Sequence, residues 1–150
     1  MIKERLKKEA ESIDINLNQV QLEQFEEYYS YLEEEGQKFN LTRITGEDVV
    51  PLHFVDSLIG AKYLSFQKGD FLLDVGSGAG FPGIPLKILQ PELKLHLLDS
   101  SAKKLNFLEK LAARLNLKNV STYHGRAEDF AHAEGFRGCY PWVVSRAVAS

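Results

Sequence analysis

The chain has 150 residues, of which 44% are hydrophobic and 26% are charged, and its formal net charge at pH 7 is −3. This length suffices for one globular core, and the acidic balance gives no independent argument for a nucleic-acid partner. A single cysteine, Cys139, excludes an intrachain disulfide, and no apolar run is long enough to span a membrane. The first residues contain no apolar signal core, so we expect a cytoplasmic protein without membrane association.

The amino-terminal part is strongly acidic and has a helical pattern. Residues 1–67 carry a net charge of −6, whereas residues 68–150 carry +3. Four apolar residues recur at helical spacing and predict a helix with a stripe that faces the core. They are Leu22, Phe25, Tyr29 and Leu32. We interpret residues 1–67 as a helical cap packed on a sheet, to which residues 68–150 contribute the strands.

A second helix of the cap is predicted over about residues 47–63, after a loop at residues 36–46. It contains His53 and Asp56, which share one face of that helix. These two side chains either orient a ligand or connect the cap to the sheet. For each residue alone, the structural role is favoured.

The first strand is followed by a turn rich in glycine. Residues 71–75 form a short apolar run that contains Asp74 and is typical of a buried parallel strand. Three alternating glycines, which permit a sharp turn and leave room for a ligand, come next: Gly76, Gly78 and Gly80. A helix is predicted to begin near Pro82, because proline fits a first helical turn. Together these elements predict a nucleotide-shaped crevice at the carboxyl end of the strand.

Two kinds of ligand compete for this crevice, and a turn without a ligand is a third alternative. Residues 78–83 satisfy the pattern G-x-G-x-x-G, which indicates a dinucleotide. That match begins well beyond the strand end, and the Asp74 carboxylate would repel a pyrophosphate at a helix N-terminus. A ligand with a cationic end suits Asp74 better. The order Asp-x-Gly-x-Gly-x-Gly therefore favours S-adenosylmethionine, which has an ammonium, a sulfonium and no phosphate.

The second strand ends in an acidic residue. Residues 93–100 alternate and then become apolar, and Asp99 lies at the carboxyl end. An acidic side chain about 20 residues after the glycine turn can hydrogen-bond a ribose diol. Asp99 therefore indicates a nucleoside without distinguishing a nicotinamide cofactor from S-adenosylmethionine. Helix capping, shared with Ser100 or Ser101, is an alternative role that is compatible with ribose binding.

The helix predicted over about residues 102–115 has a basic face. Lys103, Lys110 and Arg114 share that face by their spacing, and apolar residues occupy the other. Positive charge near the crevice would suit RNA. A solvated helix face is nevertheless the favoured interpretation, because charge on a helix exterior is common.

Two further strands are predicted. Residues 119–125 form the third, and Glu128 follows it, where an acidic group either accepts from an adenine amino group or caps a helix. Residues 140–147 form the fourth, which lacks the Asp/Asn-Pro-Pro-aromatic motif found in methyltransferases of amino groups. We expect an α/β fold with about four parallel strands.

Several segments match one known family in order along the chain: residues 40–42, 53–57, 74–87, 98–100, 124–128 and 145–149. In these segments the chain resembles the bacterial 16S rRNA (guanine-N7) methyltransferases, also called glucose-inhibited division protein B. The resemblance implies a class I S-adenosylmethionine-dependent methyltransferase fold, which is Rossmann-like, with its strands in the order 3-2-1-4. It also implies methylation of a guanosine N7 in the 16S rRNA of the small ribosomal subunit.

The resemblance also assigns residues to the cofactor. It implies contacts of S-adenosylmethionine with six residues: Gly76, Phe81, Asp99, Ala127, Glu128 and Arg146. The glycine turn would line the methionine part, Asp99 would take the ribose, and Ala127 with Glu128 would frame the adenine. The candidate cofactor site is completed by Asp74, Gly78, Gly80 and Ser100.

The acceptor atom determines what catalysis requires. Guanine N7 has an in-plane lone pair and no hydrogen, so its attack on a methyl carbon needs no general base. Alignment of two reactants can account for about 7–11 kcal/mol of a barrier. The chemistry therefore predicts neither a catalytic triad nor a metal site. Arg146 is expected to point away from the cationic sulfonium.

Two other function classes stay open, a nicotinamide-dependent oxidoreductase and a non-catalytic nucleotide-binding scaffold. The predicted strands are also fewer than a complete class I methyltransferase sheet contains. We therefore expect a fragment or truncated form that binds S-adenosylmethionine but turns over RNA poorly. The sequence does not indicate an oligomeric state.

Overall fold

Four parallel strands form the centre of the fold. The computed structural model describes residues 2–38, 46–126, 128–129 and 140–145. The strands are β1 (Phe71–Val75), β2 (Lys94–Asp99), β3 (Val120–His124) and β4 (Trp142–Val144). They lie in the order β3-β2-β1-β4, which confirms the predicted order. Strand β4 begins later than predicted, since the preceding Pro141 has no N–H to donate to a ladder.

In the described part of the chain, three α-helices precede this sheet and two connect its strands. They are α1 (Lys3–Glu11), α2 (Gln19–Glu35), α3 (Asp56–Ala61), α4 (Gly83–Leu89) and α5 (Ala102–Arg114). Within the described ranges, no helix combines the length and the apolar character that a membrane span requires.

The second helix of the cap is less regular than predicted. In place of one helix over residues 47–63, the chain forms a 3-10 turn at Gly46–Asp48, a π-helical segment at Val50–Val55 and then α3. Pro51 is tolerated in the first turn of the π-helical segment. Pro51 has no N–H to donate to a carbonyl of the preceding turn. The helical hydrogen bonds of that turn therefore do not continue regularly into the π-helical segment.

Helix α2 begins with a capping box. Asn18 Oδ1 accepts a hydrogen bond from the Gln21 N–H at 2.8 Å, and Gln21 Oε1 accepts one from the Asn18 N–H at 2.9 Å. These bonds satisfy donors that the first turn would otherwise leave unpaired. Gln21 Nε2 also donates to the Ile88 carbonyl of α4 at 3.1 Å. The start of α2 is therefore defined locally and anchored on α4.

The predicted apolar stripe of α2 is correct at three of its residues. Leu22, Phe25 and Leu32 are buried, but Tyr29 is only half-buried, and Tyr28 is fully buried. Both tyrosines lie within one turn of Phe25, so spacing alone does not distinguish them. Tyr28 is the more deeply buried of the two because it packs against the turn after β1.

The cap and the sheet share one hydrophobic core. Its largest fully buried members come from both parts and include Phe25, Tyr28, Phe54, Leu72, Ile84 and Leu95. A hydrogen bond also connects the cap to the rest of the fold: Gln24 Nε2 of α2 donates to the Leu115 carbonyl at the end of α5, at 2.9 Å. The amino-terminal helices and the sheet thus pack as one unit.

A buried lysine closes the connection between α4 and β2. Lys87 is 1% exposed, and its ammonium donates to the Pro91 carbonyl at 2.6 Å and to the Leu93 carbonyl. Burial lowers the pKa of Lys87 below its ordinary value of 10.5. The side chain thus satisfies carbonyls beyond the end of a short helix while keeping its charge away from water.

We predict that Lys87→Met changes the pH dependence of stability. The lowered pKa means that the unfolded chain holds this proton more tightly than the folded chain does. The wild type should therefore gain stability relative to Lys87→Met as the pH rises toward 10.5. Urea unfolding of both proteins at neutral and alkaline pH measures this difference. The exposed Lys68→Met serves as the control, and a difference that does not change with pH would contradict the prediction.

Candidate functional site

The turn after β1 uses its glycines for two different reasons. Gly76 has φ +70°, and a Cβ placed there would meet nothing within 4 Å. Gly80 has φ +101°, and a Cβ there would lie 2.7 Å from Tyr28 Oη and 2.9 Å from Ile84 Cγ1. Gly76 is thus required by its backbone conformation and opens onto free space. Gly80 is required both by its conformation and by close packing against the cap.

Hydrogen bonds attach this turn to the end of β2. The Gly76 N–H donates to the Leu98 carbonyl at 2.8 Å, and the Gly78 N–H donates to Asp99 Oδ2 at 3.1 Å. Within the turn, the Gly80 N–H donates to the Ser77 carbonyl at 2.7 Å. The turn therefore has a defined shape, and that shape depends on its neighbouring strand.

Asp74 is placed differently from the expectation that it faces a ligand. Its carboxylate is completely buried, and Oδ2 accepts a hydrogen bond from the Gly83 N–H at 2.8 Å. A Cβ on Gly83 would lie 2.6 Å from that oxygen, so glycine is required for this approach. Helix α4 accordingly begins at Gly83, one residue after the predicted start at Pro82. Asp74 positions the first turn of that helix.

A cavity of about 340 Å³ lies at the carboxyl ends of β1, β2 and β3. Its size falls in the range of about 300–1,000 Å³ that is typical of small-molecule sites. The lining residues are Val75, Gly76, Leu98, Asp99, Ser100, Lys104, Gly125 and Arg126. The structure thus brings three predicted site residues, Gly76, Asp99 and Ser100, to one cavity.

Asp99 connects the loops on both sides of this cavity. It is 7% exposed, and while Oδ2 accepts from Gly78, Oδ1 accepts from the Ser101 N–H at 2.9 Å. Ser101 is the N-cap of α5, and its Oγ accepts from the Lys104 N–H at 3.3 Å. Each carboxylate oxygen has a further lone pair directed elsewhere. Asp99 therefore supports the start of α5 and can still accept a hydrogen bond from a ligand in the cavity.

Phe81 lies in the interface with the cap and does not line the cavity. It is 5% exposed, and its ring is parallel to those of Tyr28 and His53, at centroid distances of 5.2 and 4.0 Å. Through this stacking, His53 connects the cap to the turn after β1. Asp56 is exposed.

The other candidate cofactor residues lie outside the cavity lining or outside the described part. Gly78 and Gly80 belong to the turn behind the cavity, and Glu128 is exposed and does not line it. Ala127 and Arg146 fall outside the described residues, as does the segment 40–42.

Two cationic residues of the cavity were not identified as site residues from the sequence. Lys104 lies in the first turn of α5, three residues after the Ser101 cap, and Arg126 follows the end of β3. The available signal was positional, because both follow the carboxyl end of a strand by a few residues. Their contribution makes the lining partly basic although the whole chain is acidic.

The basic face of α5 is used differently along its length. Arg114 forms ion pairs with Glu27 at 2.5 Å and Glu34 at 3.5 Å, and its guanidinium lies over the Tyr31 ring. Arg114 therefore connects α5 to α2. Lys103 and Lys110 are exposed. Lys103 and Lys110 thus fit the favoured interpretation of a solvated helix face, whereas Arg114 does not.

Comparison with known proteins gives a consistent result. Residues 21–150 match the family model GidB, described as rRNA small subunit methyltransferase G. The chain is 52% identical over 139 residues to the Ribosomal RNA small subunit methyltransferase G of Lachnoclostridium phytofermentans, and 50% identical over 135 residues to that of Halalkalibacterium halodurans. These matches cover 92% and 89% of the chain and 57% of each relative. The chain thus spans less than two thirds of the length of these relatives.

A solved structure supports the fold. The solved structure of Coclaurine N-methyltransferase bound to N-methylheliamine and SAH is similar to this chain, with a TM-score of 0.51 and 16% sequence identity. The match covers 96% of this chain and 48% of the chain of Coclaurine N-methyltransferase. At this identity the likeness concerns the fold alone. The chain has the Rossmann-like fold of the class I S-adenosylmethionine-dependent methyltransferases.

We predict that Gly80→Ala destabilises the protein strongly. The added methyl group would overlap Tyr28 and Ile84 in a backbone conformation that suits glycine alone, and overpacking typically costs about 1–3 kcal/mol before that strain is added. Urea unfolding measures the loss. Gly60→Ala in α3 is the matched control, because a Cβ there meets nothing within 4 Å and a helix favours alanine. Equal stability of the two variants would show that the packing around Gly80 is misjudged.

Proposed function

Since the chain belongs to the GidB family of rRNA small subunit methyltransferase G proteins, we propose that it binds S-adenosylmethionine and serves methylation of a guanine N7 in 16S rRNA. The observation that carries the proposal is the position of Asp99. Its carboxylate lies at the end of β2 in a cavity formed by the carboxyl ends of parallel strands. This is where the class I fold receives a nucleoside.

The donors and acceptors around the cavity fit the proposed ligand. Asp99 would accept hydrogen bonds from the ribose hydroxyls with the lone pairs that Gly78 and Ser101 do not use. Gly76 would admit the methionine part, because no Cβ occupies that side of the turn. Ser100 would add a hydroxyl at the ribose end. Ala127 and Glu128 remain our proposed neighbours of the adenine.

The proposed chemistry asks the protein for alignment. When bound, S-adenosylmethionine supplies an electrophilic methyl group. Because guanine N7 already carries a lone pair, the residues of this chain need to hold the two reactants in line and exclude alternatives. A rigid turn at residues 76–80 and a fixed Asp99 provide such a frame on the cofactor side.

Lys104 and Arg126 support an RNA substrate. They place two cations in the cavity lining of a chain whose formal net charge is −3. An RNA backbone needs positive charge close to the site of reaction, because release of its counterions drives much of the binding. We propose that these two side chains attract phosphates near the cavity opening. Such a substrate would place the protein in the cytoplasm with the small ribosomal subunit.

The nicotinamide-dependent oxidoreductase and the non-catalytic scaffold receive no support from the family. Direct titration distinguishes the ligands. We predict saturable binding of S-adenosylmethionine in a calorimeter and no saturable binding of NADH under the same conditions. Binding of NADH alone would reverse the assignment of the cavity.

We further predict that Asp99→Asn weakens binding of S-adenosylmethionine by roughly tenfold or more. Hydrogen bonds to a charged group contribute about 1.5–3 kcal/mol, and the amide group offers one acceptor oxygen in place of two. Calorimetric titration of the variant measures this effect.

The matched control is Asp70→Asn. Asp70 also accepts from a backbone N–H, that of Gln67 at 2.9 Å, but it precedes β1 and lies at the opposite end of that strand. The Asp70→Asn variant should be less stable than the wild type but should bind S-adenosylmethionine with the same affinity. An equal loss of affinity in both variants would count against a ribose contact at Asp99.

Methyl transfer requires a separate measurement. Transfer of labelled methyl groups to 16S rRNA or to small ribosomal subunits, followed by nucleoside analysis, would identify 7-methylguanosine as the product. A methylated nucleoside other than 7-methylguanosine would reject the proposed acceptor atom while leaving the cofactor assignment intact.

A further inference from the structure

One tyrosine of the cap contacts three consecutive residues of the glycine turn. Tyr28 is fully buried, and its hydroxyl donates to the Ala79 carbonyl at 2.7 Å. The same oxygen lies 2.7 Å from the position that a Cβ of Gly80 would occupy. The Tyr28 ring is stacked on Phe81 with an interplanar angle of 9°. Helix α2 therefore packs directly on the side of the turn that lies away from the cavity.

The opposite side of this turn forms part of the cavity. Gly76 lines it, and the Gly78 N–H donates to Asp99, which lines it as well. A shift of Ala79 or Gly80 would be transmitted within a few bonds to these two glycines. The conformation of the turn is thus determined from the cap on one side and from β2 on the other.

We infer that Tyr28 is a positioning residue for cofactor binding, which makes the cap part of the binding apparatus as well as a cover for the core. This inference rests on the proposed function, because the ligand it concerns is S-adenosylmethionine. Tyr28 acts through the turn and touches no ligand. Its hydroxyl selects the turn conformation in which Gly76 is open and the Gly78 N–H reaches Asp99.

The size of the effect follows from the population of that conformation. Without the Tyr28 hydroxyl, the Ala79 carbonyl, in a residue that is 4% exposed, loses a buried donor. The turn would then spend part of its time in other arrangements, and the apparent dissociation constant rises in inverse proportion to the fraction of molecules that stay binding-competent. Loss of one buried hydrogen bond corresponds to roughly five- to tenfold weaker binding.

The test compares Tyr28→Phe with Tyr31→Phe in the full chain. Tyr31 is also a buried tyrosine of α2, at 5% exposure, but it is stacked on Phe107 of α5 at 4.9 Å and lies away from the turn. Urea unfolding establishes the stability of each variant. Calorimetry with S-adenosylmethionine measures affinity, and amide hydrogen exchange of Gly78 and Gly80 without ligand reports the order of the turn.

We expect faster exchange at Gly78 and Gly80 and roughly five- to tenfold weaker binding in Tyr28→Phe alone. Equal exchange rates at these amides in the two variants, or equal affinities, would overturn the inference. If the wild type binds no S-adenosylmethionine, the proposed function fails. The exchange rates then decide by themselves whether Tyr28 orders the turn.

Discussion

The Asp99 carboxylate joins the two loops between which the cavity lies. One oxygen accepts from the Gly78 N–H of the turn after β1, and the other accepts from the Ser101 N–H at the start of α5. A carboxylate that is mostly withdrawn from water interacts strongly with such donors, because the local dielectric constant is low. Together with the Gly76–Leu98 backbone hydrogen bond, this side chain therefore sets how the two loops lie relative to each other beside the cavity. Helix α5, the glycine turn and the cavity all depend on it.

Two acidic residues on neighbouring strands show how depth in the sheet decides a role. Asp74 is paired in register with Leu97, whereas Asp99 lies two residues further toward the carboxyl edge. At the deeper position, the Asp74 carboxylate is buried and accepts from the Gly83 N–H at the start of α4. At the edge, the Asp99 carboxylate accepts from two loops and lines the cavity. The same functional group thus positions a helix in one case and is available to a ligand in the other.

The cap contacts the glycine turn through aromatic packing and through the hydrogen bond from Tyr28 to the Ala79 carbonyl. Tyr28, His53 and Phe81 form a set of parallel rings behind the glycine turn, and the shared core extends from α2 to the sheet. A chemistry that requires alignment more than proton transfer gains from such rigidity, because misplaced reactants lose most of the benefit of being held together. The aromatic set therefore connects the stability of the amino-terminal helices to the geometry of the cavity.

The sequence by itself determined the four strands, the glycine turn and the place of Asp99 at a strand end, whereas the strand order came from the family resemblance. These features follow from local patterns, namely apolar runs, glycine spacing and the rule that parallel strands present their carboxyl ends at one edge. The tertiary structure alone decided which residues meet across long stretches of chain. In the folded protein, Tyr28 is buried whereas Tyr29 is only half-buried, and Phe81 lies in the interface with the cap. Lys104 and Arg126 line the cavity. Tyr28 and Ala79 are 51 positions apart in the sequence. No local sequence pattern predicts that two such residues are in contact, because the contact depends on how the helices pack on the sheet.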